Sequence, residues 1–256
     1  MPRPPAWFAR RFSVARTAHE GWPVYSIAPR GANADGRVLY FHGGAYVAGM
    51  SLLHWMLVSW LVRKRRQIVI VPMYRPAPAE TARTTVPRAL RLYRRLRADP
   101  RPLTVIGDSA GAGLALAMAQ LARDEGVPQP GALVLVSPWV DATVSAPQVQ
   151  KRAAGDAFLA APGLDEAARI YAGDLDRNDF RVSPLFGSLA DLAPITIVTG
   201  TKDMLNTDAH RLRDRALAVG TPVTLHEYRD MMHVFPLFPI PEARRARTDI
   251  ARALAR

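Results

Sequence analysis

Short apolar runs rich in β-branched residues alternate along the chain with longer segments in which apolar residues recur at helical spacing. The runs at 24–27, 38–41, 68–71, 103–106, 132–137, 195–199 and 223–228 read as strands. The segments 52–66, 86–98, 110–125 and 207–219, and a last one from 241 onward, read as helices, with Pro87 tolerated in the first turn of its helix. Strands that are apolar throughout, each followed by a helix, predict an α/β fold: a mostly parallel central sheet with helices on both faces. Two segments break the alternation. Residues 1–23 set Trp7, Phe8, Phe12 and Trp22 among arginines and prolines, and read as a short N-terminal lid segment or a frayed tail, with the lid as the expectation. Residues 142–183 hold no clean strand and only short helical pieces such as 164–172. A helical insertion there would roof the carboxyl ends of the strands, where open α/β sheets bind ligands. The expected organisation is one domain over 24–256, with 142–183 inserted in it as a small helical lid.

A length of 256 residues suits one large α/β domain. No residue is cysteine, which excludes disulfides, thiolate metal sites and a cysteine nucleophile. Neither a metal nor a cofactor is expected. Formal net charge is +12 and sequence pI about 10.9, carried almost wholly by arginine, since Lys64, Lys151 and Lys202 are the only lysines. Such a balance attracts polyanions and anionic membranes. The arginines are scattered rather than gathered in one block with interleaved aromatics, so no specific nucleic-acid partner is expected, only weak attraction to anionic membrane surfaces. The densest run, Arg63-Lys64-Arg65-Arg66, closes a predicted helix, where cations suit the C-terminal end of the dipole. Arg10-Arg11-Phe12 is not followed by an apolar core region or a cleavage site, and the longest apolar run, 52–62, is interrupted and too short to span a bilayer. A cytoplasmic location without a transmembrane segment is expected.

The candidate chemistry centres on Gly107-Asp108-Ser109-Ala110-Gly111, which follows the 103–106 run and opens an Ala/Leu-rich helix. Strand, sharp turn and helix are the context of a nucleophile elbow. Glycines flank such a turn because only residues without Cβ fit where the backbone is pressed against its neighbours. The turn lifts the Ser109 hydroxyl to a helix N-terminus, whose free N–H groups can face an anion. A serine nucleophile needs a base within reach, an acid to orient it, and donors for the oxyanion. Among the six histidines, His19 lies in the N-terminal segment, His54 and His210 in predicted helices, His226 inside a strand, and His42 directly before two glycines. Only His233 sits in a loop just after the last strand. Asp203, in the loop directly after the penultimate strand, is the candidate acid, with Asp208 in the next helix's first turn as the reserve. Asp108 reads as a carboxylate bonding local backbone. Ala110 offers one oxyanion N–H, and Gly43, Gly44 and Ala45, after an early strand, offer the others.

These residues resemble the hormone-sensitive-lipase-like branch of serine esterases (bacterial family IV, the α/β hydrolase fold-3 group). The resemblance rests on His42-Gly-Gly-Ala-Tyr-Val-Ala-Gly49, Tyr74-Arg-Pro-Ala-Pro78, Gly107-Asp-Ser-Ala-Gly111, Ser137-Pro-Trp139, Asp203-Met-Leu205 and His233-Val-Phe235. It implies an α/β-hydrolase fold and a serine carboxylesterase that hydrolyses short-to-medium acyl esters through an acyl-enzyme on Ser109. It also implies a lid built from the N-terminal segment and the insertion, and, as in many members, a homodimer. Three features depart from the family pattern. Ala45 stands where the oxyanion loop commonly has glycine, although the N–H survives the change. Ala79-Glu80-Thr81-Ala82-Arg83 replaces the usual sequence of that loop, and the N-terminal lid is short, which predicts an open pocket. Two other readings are a non-catalytic small-ligand-binding protein on a hydrolase scaffold, and a related acyl hydrolase such as an amidase or thioesterase.

Overall fold

In the computed structural model, which describes residues 3–31, 34–144, 146–153 and 155–254, the N-terminal part contains α1 (Ala6–Arg11), β1 (Phe12–His19), β2 (Trp22–Pro29), β3 (Gly36–Phe41), α2 (Leu52–Arg65) and β4 (Gln67–Pro72). There follow α3 (Ala82–Leu96), β5 (Leu103–Asp108), α4 (Ala110–Asp124), β6 (Leu133–Val136), α5 (Pro147–Ala153) and α6 (Ala161–Ala172). The chain ends with β7 (Ile195–Gly200), α7 (Asn206–Ala218), β8 (Val223–Tyr228) and α8 (Pro241–Leu254). Small parts of the expected N-terminal segment, of the 30–36 turn and of the 142–183 insertion lie outside the described residues.

One eight-stranded sheet takes the order β1-β2-β4-β3-β5-β6-β7-β8. The pairs β1·β2 and β2·β4 are antiparallel and all others parallel. Side chains alternate between two cores: Leu39, Phe41, Val105 and Leu135 enter the one shared with α3 and α4, whereas Val38, Tyr40, Ile106 and Val134 enter the one shared with α2 and α8. Cover on both faces is the reason the central strands β3, β5 and β6 are buried along their whole length and carry no polar alternation. Each large side chain fully buried in these cores contributes about 1.5–3 kcal/mol.

The order places the site. From β3 the chain returns through α2 to β4 on one side, while β5 leads through α4 to β6 on the other. The crevice at the carboxyl ends of β3 and β5 is therefore the switch point, which doubly covered sheets leave open to a ligand. His42 follows β3 and Ser109 follows β5, so topology brings two distant motifs together.

The N-terminal segment differs from the expected lid. Phe8 and Phe12 are buried, the Phe8 ring meets the Trp55 ring edge-on at 5.4 Å, and β1 pairs with β2 along its whole length. Phe8, Phe12 and Trp22 are core residues, whereas Trp7 is only partly buried, and the polar, exposed middle of β1 concealed an edge strand. α3 begins earlier than expected, with the Thr81 carbonyl accepting the Thr84 and Thr85 N–H groups, so Pro87 lies inside the helix rather than in its first turn. Among the described residues, no helix is long and apolar enough to cross a membrane.

Candidate active site

Ser109 adopts φ 52° and ψ −121°, a conformation that costs a non-glycine residue roughly 1–3 kcal/mol. The flanking glycines are required by close approach: a Cβ on Gly107 would lie 2.2 Å from the Gly111 carbonyl oxygen, and one on Gly111 would lie 2.1 Å from that of Phe41. The Ser109 N–H donates to the Val136 carbonyl at 2.9 Å, and the Trp139 N–H donates to the Ser109 carbonyl at 3.1 Å. Strain extends around the same rim, because Ala45, Tyr46, Ser137 and Val234 also hold positive φ. The Val234 N–H donates to Ser137 Oγ at 3.0 Å, which fixes the turn that carries His233.

His233 Nε2 lies 2.9 Å from Ser109 Oγ, and His233 Nδ1 lies 2.9 Å from Asp203 Oδ2. Both the imidazole and the Asp203 carboxylate are buried. A carboxylate at Nδ1 holds the ring proton there, leaving the Nε2 lone pair toward the serine. Burial alone would lower the His233 pKa, but the Asp203 charge and hydrogen bond outweigh it and the net shift is upward. Asp203 is itself fixed by the Leu205 N–H, which donates to Oδ1 at 2.9 Å. The reserve acid is engaged elsewhere. Asp208 Oδ1 accepts from Arg211 at 2.7 Å, and the same nitrogen bonds Asp141 Oδ2 at 2.7 Å. Burial, reinforced by the nearby Asp141 and Asp203 carboxylates, pushes Asp208 up to about 7 against the pull of Arg211.

Opposite His233 stands the loop after β3. A Cβ on Gly43 would lie 2.4 Å from Asp108 Oδ2, and Gly44, at φ 119°, would set one 2.5 Å from the Ala48 carbonyl oxygen. Among the described residues, the N–H groups of Gly43, Gly44, Ala45 and Ala110 donate to no other group. The His42 ring stacks on Tyr74 at 4.3 Å, the Tyr74 hydroxyl donates to the His42 carbonyl at 2.5 Å, and His42 Nδ1 donates to the Gly43 carbonyl at 2.7 Å. Burial lowers His42 to about 4, so the ring stays neutral and acts as a strut for the loop.

Asp108 does not bond local backbone, as its sequence position suggested. Strand alternation turns it, like Ile106, toward the α2 side. There Oδ1 accepts the Tyr40 hydroxyl at 2.5 Å, and Oδ2 lies 3.3 Å from His54 Nε2. Burial alone would raise Asp108, but His54 and Tyr40 outweigh it and hold the carboxyl below its usual range. His54 Nδ1 accepts the Ser51 N–H at 2.9 Å and lies 2.7 Å from Ser51 Oγ. Sequence reasoning passed over Tyr40 and His54. One signal was available: Ser51-x-x-His54 has the spacing of a capping box, with histidine in the place of the usual Glu or Gln.

A cavity of about 440 Å³ opens over Ser109 and His233, with an apolar lining from Leu53, Leu159, Leu164, Leu237 and Phe238. Among the described residues, none before Gly44 lines it, so Trp7 and Trp22 stand away from the chemistry. Phe158 and Leu159 come from the insertion. The Asp156 carboxylate accepts the Phe158 and Leu159 N–H groups through one oxygen and the Met204 N–H, at 2.8 Å, through the other. That residue, also unforeseen, ties the insertion to the loop bearing Asp203. On the other side Tyr171 of α6 stacks on Tyr46 at 3.6 Å.

A family described as the alpha/beta hydrolase fold matches residues 38–237. The chain is 37% identical to an "Acetyl-hydrolase" of Streptomyces hygroscopicus, over 89% of this chain and 78% of that protein. The crystal structure titled as a hormone-sensitive lipase from a metagenome library superposes with TM-score 0.89 at 30% identity, over 94% of this chain and 82% of that one. A putative esterase from Staphylococcus aureus superposes with TM-score 0.93 at 26% identity, over 99% and 87% of the two chains.

Proposed function

This chain belongs to the alpha/beta hydrolase fold family, and on that premise we propose that it is a serine carboxylesterase with Ser109 as nucleophile, His233 as base and Asp203 as its orienting acid. It is an ester-hydrolysing enzyme, in keeping with relatives named acetyl-hydrolase and esterase. The observation that carries the serine mechanism is the continuous relay from Asp203 through His233 to Ser109, with 2.9 Å at each step.

In the proposed reaction the Ser109 oxygen attacks the ester carbonyl carbon while His233 Nε2 takes its proton. Asp203 stabilises the imidazolium so formed. The carbonyl oxygen becomes an oxyanion held by main-chain N–H groups drawn from Gly43, Gly44, Ala45 and Ala110. The imidazolium returns its proton to the leaving alcohol, and the C–O bond to that alcohol breaks. Water, deprotonated by His233, then attacks the acyl-enzyme and releases the acid and Ser109. Residues 142–183 act as the lid, because Phe158 and Leu159 reach the cavity from that insertion.

The apolar lining suits short-to-medium acyl chains. A series of p-nitrophenyl esters from acetate upward tests this: kcat/KM is expected to rise about fourfold per methylene while each group is buried, then fall once the chain outgrows the cavity. Mass spectrometry after rapid quenching is expected to find the acyl group on Ser109, and Ser109→Ala to lose both adduct and turnover. Turnover by Ser109→Ala comparable to the wild type would refute the assignment of the nucleophile.

A further inference from the structure

Positive charge on this chain is distributed in two different ways. Around α3 most arginines are matched by acids, Arg83 with Asp174, Arg88 with Glu80, Arg91 with Glu20 and Arg94 with Glu125, while Arg95 donates to the Ala18 carbonyl. Residues 3–19 and 36–79, which supply α1 and α2, contain no carboxylate side chain. On that side Arg11, Arg63 and Lys64 have no acidic partner among the described residues.

These cations rim an open groove of about 420 Å³ whose floor includes Trp7, Met56 and Trp60. The Arg11 guanidinium lies over the Trp7 ring at 5.6 Å. Helix α2 contributes to both the groove and the active site: Leu52 belongs to the groove, and the next residue, Leu53, lines the catalytic cavity. Leu52 is 47% exposed, and Val47 and Phe158 in the cavity wall are 39% and 51% exposed. Partly exposed indole rings, unmatched cations and exposed apolar side chains at and beside α2 match what a lipid surface offers. Tryptophan settles at the headgroup level, cations meet anionic headgroups, and the aliphatic groups enter the acyl boundary. A nucleic-acid backbone would satisfy the cations but give Leu52, Val47 and Phe158 no apolar partner.

We propose that the α1–α2 face docks on an anionic lipid bilayer and thereby turns the mouth of the catalytic cavity toward esters held in that bilayer. The docking half stands on the surface alone, whereas the delivery half rests on the esterase reading above.

The test is co-sedimentation of the whole protein with vesicles of phosphatidylglycerol mixed into phosphatidylcholine, against pure phosphatidylcholine, at about 0.15 M salt, where exposed charges farther apart than about 8 Å are screened. Binding is expected only to the anionic vesicles, with a blue shift of tryptophan emission. Arg63→Ala with Lys64→Ala is expected to weaken it about fivefold per charge, so roughly twenty-five-fold for the pair. Arg215→Ala with Arg229→Ala removes the same net charge from α7 and the turn after β8, and is expected to leave binding unchanged. Trp60→Ala is expected to reduce the blue shift, leaving the part due to Trp7, while binding weakens. Hydrolysis of a water-soluble acetate ester is expected to be unchanged in the Arg63/Lys64 variant while hydrolysis of a vesicle-borne ester falls. Ser109→Ala should bind vesicles like the wild type, so a failure of the ester chemistry and a failure of docking are read separately. Equal binding to both vesicle types, equal loss in the two double variants, tighter binding to a DNA duplex that displaces vesicles, or self-association lost in Trp60→Ala without vesicle binding would each overturn the proposal.

Discussion

Two buried imidazoles flank Ser109, each set against a buried carboxylate, and they differ in one respect. His233 gives Nδ1 to Asp203 and keeps Nε2 for the serine. His54 gives Nε2 to Asp108 and has Nδ1 already occupied by the Ser51 N–H. Burial and a carboxylate partner are common to both, so neither marks a base. A base needs a nitrogen lone pair left over and aimed at the nucleophile. The loop after β8 leaves that nitrogen free, whereas the helix start at Ser51 consumes it. Through Asp108, which abuts Gly43, the His54 pair supports the floor of the oxyanion loop.

Deleting each ring in turn gives the widest separation. His233→Ala is expected to lower kcat by roughly 10⁶-fold, whereas His54→Ala, acting only through Asp108 and Gly43, is expected to cost on the order of 10–100-fold. Initial rates on p-nitrophenyl butyrate decide it. Equal losses would show that both histidines touch the reacting atoms.

The carboxylates extend the contrast to pH. Asp203→Asn is expected to cut kcat about 10⁴-fold. In the proposed mechanism only neutral His233 accepts the serine proton, and its pKa is raised, so kcat/KM is expected to fall as pH drops through a midpoint above the ordinary histidine value. In the Asn variant the Asp203 charge, the largest raising influence, is gone, and burial is opposed only by the weaker pull of Asp156 and Asp108, so the acid limb moves to lower pH. Asp208→Asn is expected to leave turnover within about threefold, because that carboxyl is held near 7 and bonds Arg211 rather than His233. A limb that stays in place in Asp203→Asn would mean that another group sets it.

How far the sequence foretold this rim depends on how each residue is positioned. Ser109, Asp203 and His233 lie at strand ends, and a parallel sheet gathers its strand ends, so order along the chain was enough to bring them forward as candidates, and the fold sets them side by side. The choice of Asp203 over Asp208 also followed from place, loop against helix. Asp108 was misread because its role depends on which face of β5 it occupies and on what α2 brings there. His54 was set aside as a helix residue because its part in the capping box and its reach to Asp108 are both tertiary. The same limit applied to β1: pairing with β2 defines it, and its own side chains are mostly polar and exposed. Phe8 and Phe12 read as lid aromatics because nothing in their local sequence reveals Trp55 as the neighbour.

Asp108→Asn probes the weaker pair from its other end. The amide keeps the shape and still accepts from Tyr40, but it removes the buried charge facing His54. Turnover is expected to fall about tenfold, with KM nearly unchanged, if the carboxylate acts by seating Gly43 rather than by contacting substrate. A loss approaching that of Asp203→Asn would place Asp108 in the proton relay and dissolve the distinction between the pairs.

The smallest change tests why His54 is idle. Ser51→Ala removes the hydroxyl near His54 Nδ1 but leaves the Ser51 main-chain N–H that also occupies it. Helix α2 loses a capping contact, so unfolding should become easier by about 1 kcal/mol, equivalent to a fall in Tm of roughly 2–4 °C for a chain of this size. Turnover should hold, because the backbone donor still fixes the ring and Nε2 still faces Asp108. If activity instead drops as far as in His54→Ala while the melting point barely moves, the hydroxyl is what orients that imidazole. The main-chain bond would then be a consequence of the ring's position rather than its cause.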